Sequence, residues 1–245
     1  EMIGNKPKPL SISLYSELIT NSVWSVQRKN YGYKNVSPNV LMINLAGSPF
    51  IDIRTDLNSF LPNDLPSKVE KKIIDCLLKN FSKNLYLHDK IEFELMPTCY
   101  DFQIYDNKFL SILTSNEKKI YSISLKKLTN NIFLNRKIIL RNELNKLEKL
   151  KEKIKLIQNS KMGEIQKIFF LINDCKKYGT LPFSGLARVA FICTKIMKSF
   201  EFLKILNQKN IEDIYSDIDT ITKNLTKDSL KSKYSLKQRK AFLKK

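Results

Sequence analysis

Arginine is scarce in this chain, and its scarcity makes each one a candidate for chemistry. Of 43 basic residues only six are arginine: Arg28, Arg54, Arg136, Arg141, Arg188 and Arg239. With 22 asparagines and abundant isoleucine, the composition is one that an AT-rich genome drifts into, and such drift favours lysine. A surviving arginine suits a geometry lysine cannot supply, a planar fork that grips a carboxylate or phosphate through two parallel hydrogen bonds. Arg54 stands in Phe50-Ile51-Asp52-Ile53-Arg54-Thr55-Asp56-Leu57-Asn58, where period-two alternation puts Phe50, Asp52 and Arg54 on one face at the end of a strand. Arg188 follows Tyr178-Gly179-Thr180-Leu181-Pro182-Phe183-Ser184-Gly185, with Pro182 suited to the first turn of a helix. A helix N-terminus there would offer unpaired N–H groups to an anion, beside the Thr180 and Ser184 hydroxyls. The competing reading makes both arginines fold-specifying ion pairs, Arg54 with Asp52 and Arg188 with some other acid.

Other catalytic kits are missing. The one histidine, His88, has no neighbouring nucleophile and no His/Cys companions, so it supports neither a triad nor a metal site. No G-x-x-x-x-G-K-[ST] or G-x-G-x-x-G segment occurs, and six glycines are too dispersed to cradle phosphates. Glu92 and Glu94 share a face of an alternating segment and could mimic a carboxylate pair, although solvated strand glutamates look the same. Cys76, Cys99, Cys175 and Cys193 are scattered, as reduced thiols in a cytosolic protein would be.

The elements that must position these residues change character near residue 105. Before it, short helices at Leu10–Thr20 and Asn21–Asn30 precede strands at Val40–Ala46 and Phe50–Arg54, split by Gly47-Ser48-Pro49. An amphipathic helix follows over Ser67–Phe81, and Lys90–Tyr100 alternates as a third, half-exposed strand. After residue 105 helices dominate. The apolar seam from Leu140 to Ile157 suits a helical hairpin. Helices follow at Gly163–Tyr178, Leu181–Leu206, Ile211–Leu225 and Leu236–Leu243. The predicted fold class is α+β and predominantly helical, with a mixed subdomain over residues 1–105 built on a small antiparallel sheet and a basic helical bundle over 106–245.

Charge follows the same division. Residues 1–105 hold 12 Lys/Arg against 11 Asp/Glu, and residues 106–245 hold 31 against 13, so the second part carries +18 of the net +19. Such a surface would serve a module that binds nucleic acid or an acidic partner. With 37 lysines against six arginines, however, a solvated helical coat is favoured over base or phosphate readout. Phe183–Leu206 is apolar but interrupted by Arg188, Lys195, Lys198, Glu201 and Lys204, which argues against a membrane span. The first twenty residues do not read as a signal peptide. The expectation is a cytoplasmic chain without membrane contact, cut from the interior of a longer protein.

Several segments carry a family likeness. Glu1-Met2-Ile3-Gly4, Pro7-Lys8-Pro9-Leu10, Ser13-Leu14-Tyr15, Tyr31-Gly32-Tyr33, the run from Ala46-Gly47 to Pro62, Leu87 to Glu94, and Lys177-Tyr178 to Arg188 resemble a bacterial branch of the phosphoenolpyruvate-utilising enzymes. That branch is related to phosphoenolpyruvate synthase and pyruvate phosphate dikinase. The resemblance implies a three-part mechanism. An ATP-binding domain phosphorylates a histidine on a swivelling domain, which carries the phosphoryl group to a third site. By this likeness the chain is the central region, with the ATP-binding and phosphohistidine domains as flanking partners and a small anionic molecule as substrate. ATP and Mg are then cofactors of the complete enzyme, with none bound by this chain. In that setting Arg188 and Thr180 would grip an anionic group, and Arg54 and Asn58 would hold the acceptor or a second one.

Overall fold

The computed structural model describes residues 4, 6–103 and 107–232. The expected α+β, predominantly helical class is what it shows: 69% helix with a small two-stranded antiparallel sheet. In order, the helices are α1 (Pro9–Tyr15), α2 (Val23–Asn30), α3 (Ile53–Ser59), α4 (Ser67–Phe81), α5 (Ser115–Leu134), α6 (Arg136–Gln158), α7 (Glu164–Asp174), α8 (Leu181–Phe202), α9 (Gln208–Asp217) and α10 (Ile221–Ser232). The expected helix at Leu236–Leu243 lies outside the described residues.

The sheet is smaller than its sequence pattern. Strands β1 (Met42–Leu45) and β2 (Ser48–Ile51) pair antiparallel with Leu45 opposite Ser48. Ala46 and Gly47 form the two-residue turn, both at positive φ (51° and 82°), as a tight hairpin requires. The turn therefore precedes Ser48-Pro49, which the alternation had assigned to the loop. β2 stops at Ile51 because Asp52 caps α3, its carboxylate accepting from the Thr55 N–H at 3.2 Å and the Thr55 hydroxyl at 2.6 Å. Arg54 thus lies in a helix, not at a strand end. The third strand does not form either. Ile91–Leu95 is one wide helical turn that buries Ile91 and Leu95 and leaves Phe93 half-exposed. Five residues are too few to separate period two from an i,i+4 pair.

The core does not respect residue 105. Tyr33, Leu57, Phe60, Leu61, Ile73 and Leu77 belong to one cluster with Leu110, Tyr121, Leu125, Ile132 and Ile192. Contacts accordingly divide the chain into Glu1–Ser199 and Phe200–Lys245 rather than at 105/106. The composition changes at 105 because the later helices expose more of their surface, not because a core ends there. Two buried tyrosines stitch the region: Tyr33 donates to the Thr98 carbonyl and Tyr121 to the Pro97 carbonyl, each at 2.7 Å.

α5 starts in a capping box. The Glu117 N–H donates to the Thr114 hydroxyl, and the Glu117 carboxylate accepts from the Thr114 N–H at 2.8 Å. Lys72 of α4 donates to the same carboxylate at 2.8 Å. The Lys72 hydrogen bond, aided by the Thr114 N–H, lowers the Glu117 pKa from 4.5 to about 2. A depressed carboxyl stabilises the fold above its unfolded value, and that stability is lost as pH falls through the folded one. Glu117→Gln should therefore flatten the decline in stability between pH 4.5 and about 2. Denaturant melts that keep the same acid slope in the variant would contradict this.

α7 and α8 are parts of one helical run from Glu164 to Phe202, joined by a widened segment at Cys175–Thr180. Pro182 lacks an N–H and its ring crowds the carbonyl four residues back, so a widened turn just before it lets the helix continue. Within this run lies a window apolar enough, by length and composition, to cross a membrane. Pro182, Gly185, Arg188, Ile192 and Ser199 are nonetheless buried.

Candidate functional site

Four elements bring four charged side chains together. Arg28 comes from the last turn of α2, which ends at Asn30 and is followed by Gly32 at φ 93°. Asp56, Ser59 and Phe60, at i, i+3 and i+4, share one face at the end of α3. Glu92 comes from the wide turn after α4, and Arg188 from α8.

Arg28 donates through Nη1 to Asp56 Oδ1 at 2.6 Å and also to the Ser59 hydroxyl. Its guanidinium lies 3.6 Å from the centre of the Phe60 ring and 5.1 Å from that of Trp24. Arg188 donates through Nη2 to Glu92 Oε2 at 2.5 Å. The Arg188 guanidinium is 4.8 Å from the centre of the same Phe60 ring and 5.9 Å from that of Tyr33. Two cations thus share one phenylalanine, each neutralised by its own carboxylate. Neither could be buried alone, since the desolvation penalty is several kcal/mol per ion. Burial, with Arg188's charge adding to it, pulls the Arg28 pKa down against the attraction of Asp56. Burial acts on Arg188 in the same sense, but Tyr33, Glu92 and Asp56 outweigh it and its pKa is raised. Arg188 Nε and Nη1 are buried without a hydrogen-bond partner.

α8 holds the Glu92 turn along one stripe. Besides the Arg188–Glu92 pair, Phe191 meets Phe93 edge-on with ring centres 5.0 Å apart. Lys195 donates to the Phe93 carbonyl at 2.6 Å. Spacings of three and four along α8 put Arg188, Phe191 and Lys195 on that stripe.

In front of the Arg28–Asp56 pair opens a cleft of about 540 Å³. Its polar lining is Tyr15, Arg28, Asp56, His88, Asp89 and Glu92, and its apolar lining is Leu41, Ile51, Ile53, Phe60 and Ile91. That size and mixture suit a small molecule held by a few fixed polar groups. His88, for which the sequence offered no catalytic or ligand companions, lines the cleft, with Nδ1 3.2 Å from the Leu85 carbonyl. Among the described residues no three His, Cys, Asp or Glu side chains are grouped to hold a metal ion.

The four residues singled out from sequence are placed differently. Arg188 is in the ion-pair cluster, bonded to Glu92. No helix starts at Leu181, because the run from α7 is continuous, so the expected N-terminal anion pocket has no free N–H groups to build it. Thr180 lies in the widened segment, its hydroxyl 3.9 Å from Cys175 Sγ. Asn58 donates from its side-chain amide to the Arg54 carbonyl at 2.8 Å. Arg54 is 61% exposed and 3.5 Å from Asp75, not Asp52, whose carboxylate is taken by the α3 cap. None of the four lines the cleft. Arg54→Ala should shift stability by no more than about 0.5 kcal/mol, as exposed ion pairs do. A larger shift of the urea midpoint would give Arg54 a role its surroundings do not show. Sequence reasoning passed over Arg28 and Asp56. The signals were an aromatic one turn before an arginine, Trp24 and Arg28, and an Asp-x-x-Ser-Phe run ending a helix.

Comparison with family models, with curated proteins and with solved structures finds no match for this chain. Its functional reading therefore rests on the site.

Proposed function

We propose that this chain is the acceptor-binding central region of an ATP-dependent phosphotransferase of the kind its sequence resembles. The observation that carries the reading is the cleft walled by Arg28, with Asp56, Ser59 and Phe60 holding the guanidinium still. Support comes from where the resembling segments lie. Tyr15, Ile51, Ile53, Asp56, Phe60 and the Leu87–Glu94 stretch contribute to the cleft. Tyr33 and Arg188 back it through Phe60 and Glu92. Segments far apart in sequence meet at one place.

The chemistry follows from phosphoryl transfer, which needs an acceptor held in line and stabilisation of the charge spreading over the transferred group. A guanidinium fixed before substrate arrives spends no energy reorganising during the reaction. In this reading Arg28 orients the acceptor, Asp56 and Glu92 keep the two arginines in place, and the apolar lining excludes water. ATP and Mg belong to a flanking domain.

The reading is tested in the complete enzyme with Arg28→Lys. That variant keeps the charge and loses the fork, so acceptor phosphorylation should fall by at least about 10²-fold while ATP-dependent self-phosphorylation of the carrier histidine persists. Near-normal transfer would remove the cleft from the acceptor site. The gene provides a second check: an ATP-binding domain should be encoded before residue 1 and a Gly-rich phosphohistidine segment after residue 245. Stop codons on both sides would overturn the proposal.

A further inference from the structure

A groove between α6 and the run of α7 with its widened continuation changes character along its length. On α6, Lys149, Lys153 and Leu156 recur at spacings of four and three and share a face. On the opposing run Phe170, Asp174 and Lys177 do the same. At one end the ammonium groups of Lys149, Lys153 and Lys177 stand 5.3, 5.5 and 5.2 Å from the centre of the Tyr178 ring. Lys153 has a carboxylate partner in Asp174, at 3.2 Å. Lys149 and Lys177 have no ion-pair partner among the described residues, so the cage holds three cations against one anion. At the other end Leu156, Ile157, Met162 and Phe170 line an apolar hollow of about 180 Å³, shared with Lys153 and Asp174. Beside it α7 turns Ile165, Ile168 and Phe169 to solvent, Ile165 at 84% exposure.

We propose that this groove is a docking surface for a membrane of anionic phospholipid, with headgroup phosphates at the Tyr178 cage and acyl chains against Phe170 and the α7 face. Complementarity selects this occupant. A helix with isoleucine and phenylalanine on one side and lysines at the rim lies in the bilayer interface. Each lysine near the surface adds attraction that fades within a Debye length. A second copy of the chain would bring its own excess of cations to the same patch. An acidic soluble partner would answer the cage but gain little from Ile165 and Phe169. The charges that interrupt Phe183–Leu206, from which no membrane contact was expected, bear on a helix that crosses a bilayer and not on one lying along its surface. The proposal is independent of the phosphotransferase reading.

The test is co-sedimentation of the full chain with extruded vesicles of phosphatidylcholine, with or without phosphatidylglycerol. Binding is expected only with the anionic lipid. Lys149→Ala/Lys177→Ala should weaken it about 30-fold, as two lysines near an anionic surface would. Lys71→Ala/Lys79→Ala, which removes the same charge from exposed positions on α4, should cost less than about 3-fold. Phe170→Ser should also lower binding, with its helical circular dichroism unchanged. Equal losses from the two lysine pairs would show a response to net charge alone and overturn the site. So would equal binding to neutral vesicles, or a self-association that Phe170→Ser abolishes in a chain that ignores vesicles.

Discussion

Glu92→Ala is expected to destabilise the fold by about 3–5 kcal/mol, the cost of leaving one buried ion without its partner. For a chain of this size that is a fall of roughly 6–20 °C in Tm. Two features put Glu92 at the severe end. Arg188 is 6% exposed, so water cannot take the carboxylate's place. Its Nε and Nη1 already lack partners, so the pair at 2.5 Å is the main compensation it has. The Glu92 turn is also held to α8 by the Phe191–Phe93 and Lys195 contacts, so it cannot swing away to relieve the strain. The companion variant separates the cost of an orphaned charge from the worth of the pair. Glu92→Leu/Arg188→Met removes both charges and keeps apolar bulk against Phe60 and Phe191, and it should recover most of the loss. A double variant as unstable as Glu92→Ala would mean that packing, not charge, holds this turn.

Gly185→Ala is expected to cost about 1–3 kcal/mol through overpacking. A methyl group there would stand 2.5 Å from Tyr31 Oη and 3.0 and 3.1 Å from Cζ and Cε2 of that ring. Tyr31 is only 8% exposed. Gly185, three residues before Arg188, thus lies against Tyr31, three residues after Arg28. The hydroxyl responsible for the closest contact is buried without a hydrogen-bond partner. Tyr31→Phe alone should thus be neutral or slightly stabilising, because it removes an unsatisfied group. Combined with Gly185→Ala it should restore part of the lost stability, since the ring carbons remain close. Urea melts in which Tyr31→Phe and Gly185→Ala simply add would rule out this contact as the cause.

Both predictions concern the stability of the frame around the cleft, although Glu92 also contributes to the lining. Loss of stability in them is compatible with any occupant of the cleft, whereas Arg28→Lys leaves the Glu92–Arg188 pair intact and reports on the occupant. A site whose charges are paired before a ligand arrives is rigid, and rigidity is what a positioning role requires.

Much of the local structure was legible from residue order. The stripe of Val69, Ile73, Ile74 and Leu77 determined α4, the seam from Leu140 to Ile157 falls in α6, and Gly47-Ser48-Pro49 between two apolar runs pointed to a hairpin, whose turn the structure places one residue earlier, at Ala46-Gly47. Periodicity serves well where a face is long enough to repeat. It failed at Lys90–Tyr100, where Ile91 and Leu95 satisfy a helical turn as well as a strand. It failed again at Asp52, which could cap a helix or face outward from a strand. Arginine scarcity selected Arg188, now found in the cluster, and equally Arg54, now found in water. That difference cannot be read from composition, because it depends on which carboxylate lies opposite. Glu92 lies 96 residues before Arg188 and Asp56 lies 28 after Arg28, separations over which sequence spacing carries no distance. The residue types thus determined that buried forks would need acids. Only the packing of α2, α3 and α8 around Phe60 decided which acids, because burial makes an ion's partner obligatory and only the folded chain brings the partner within reach.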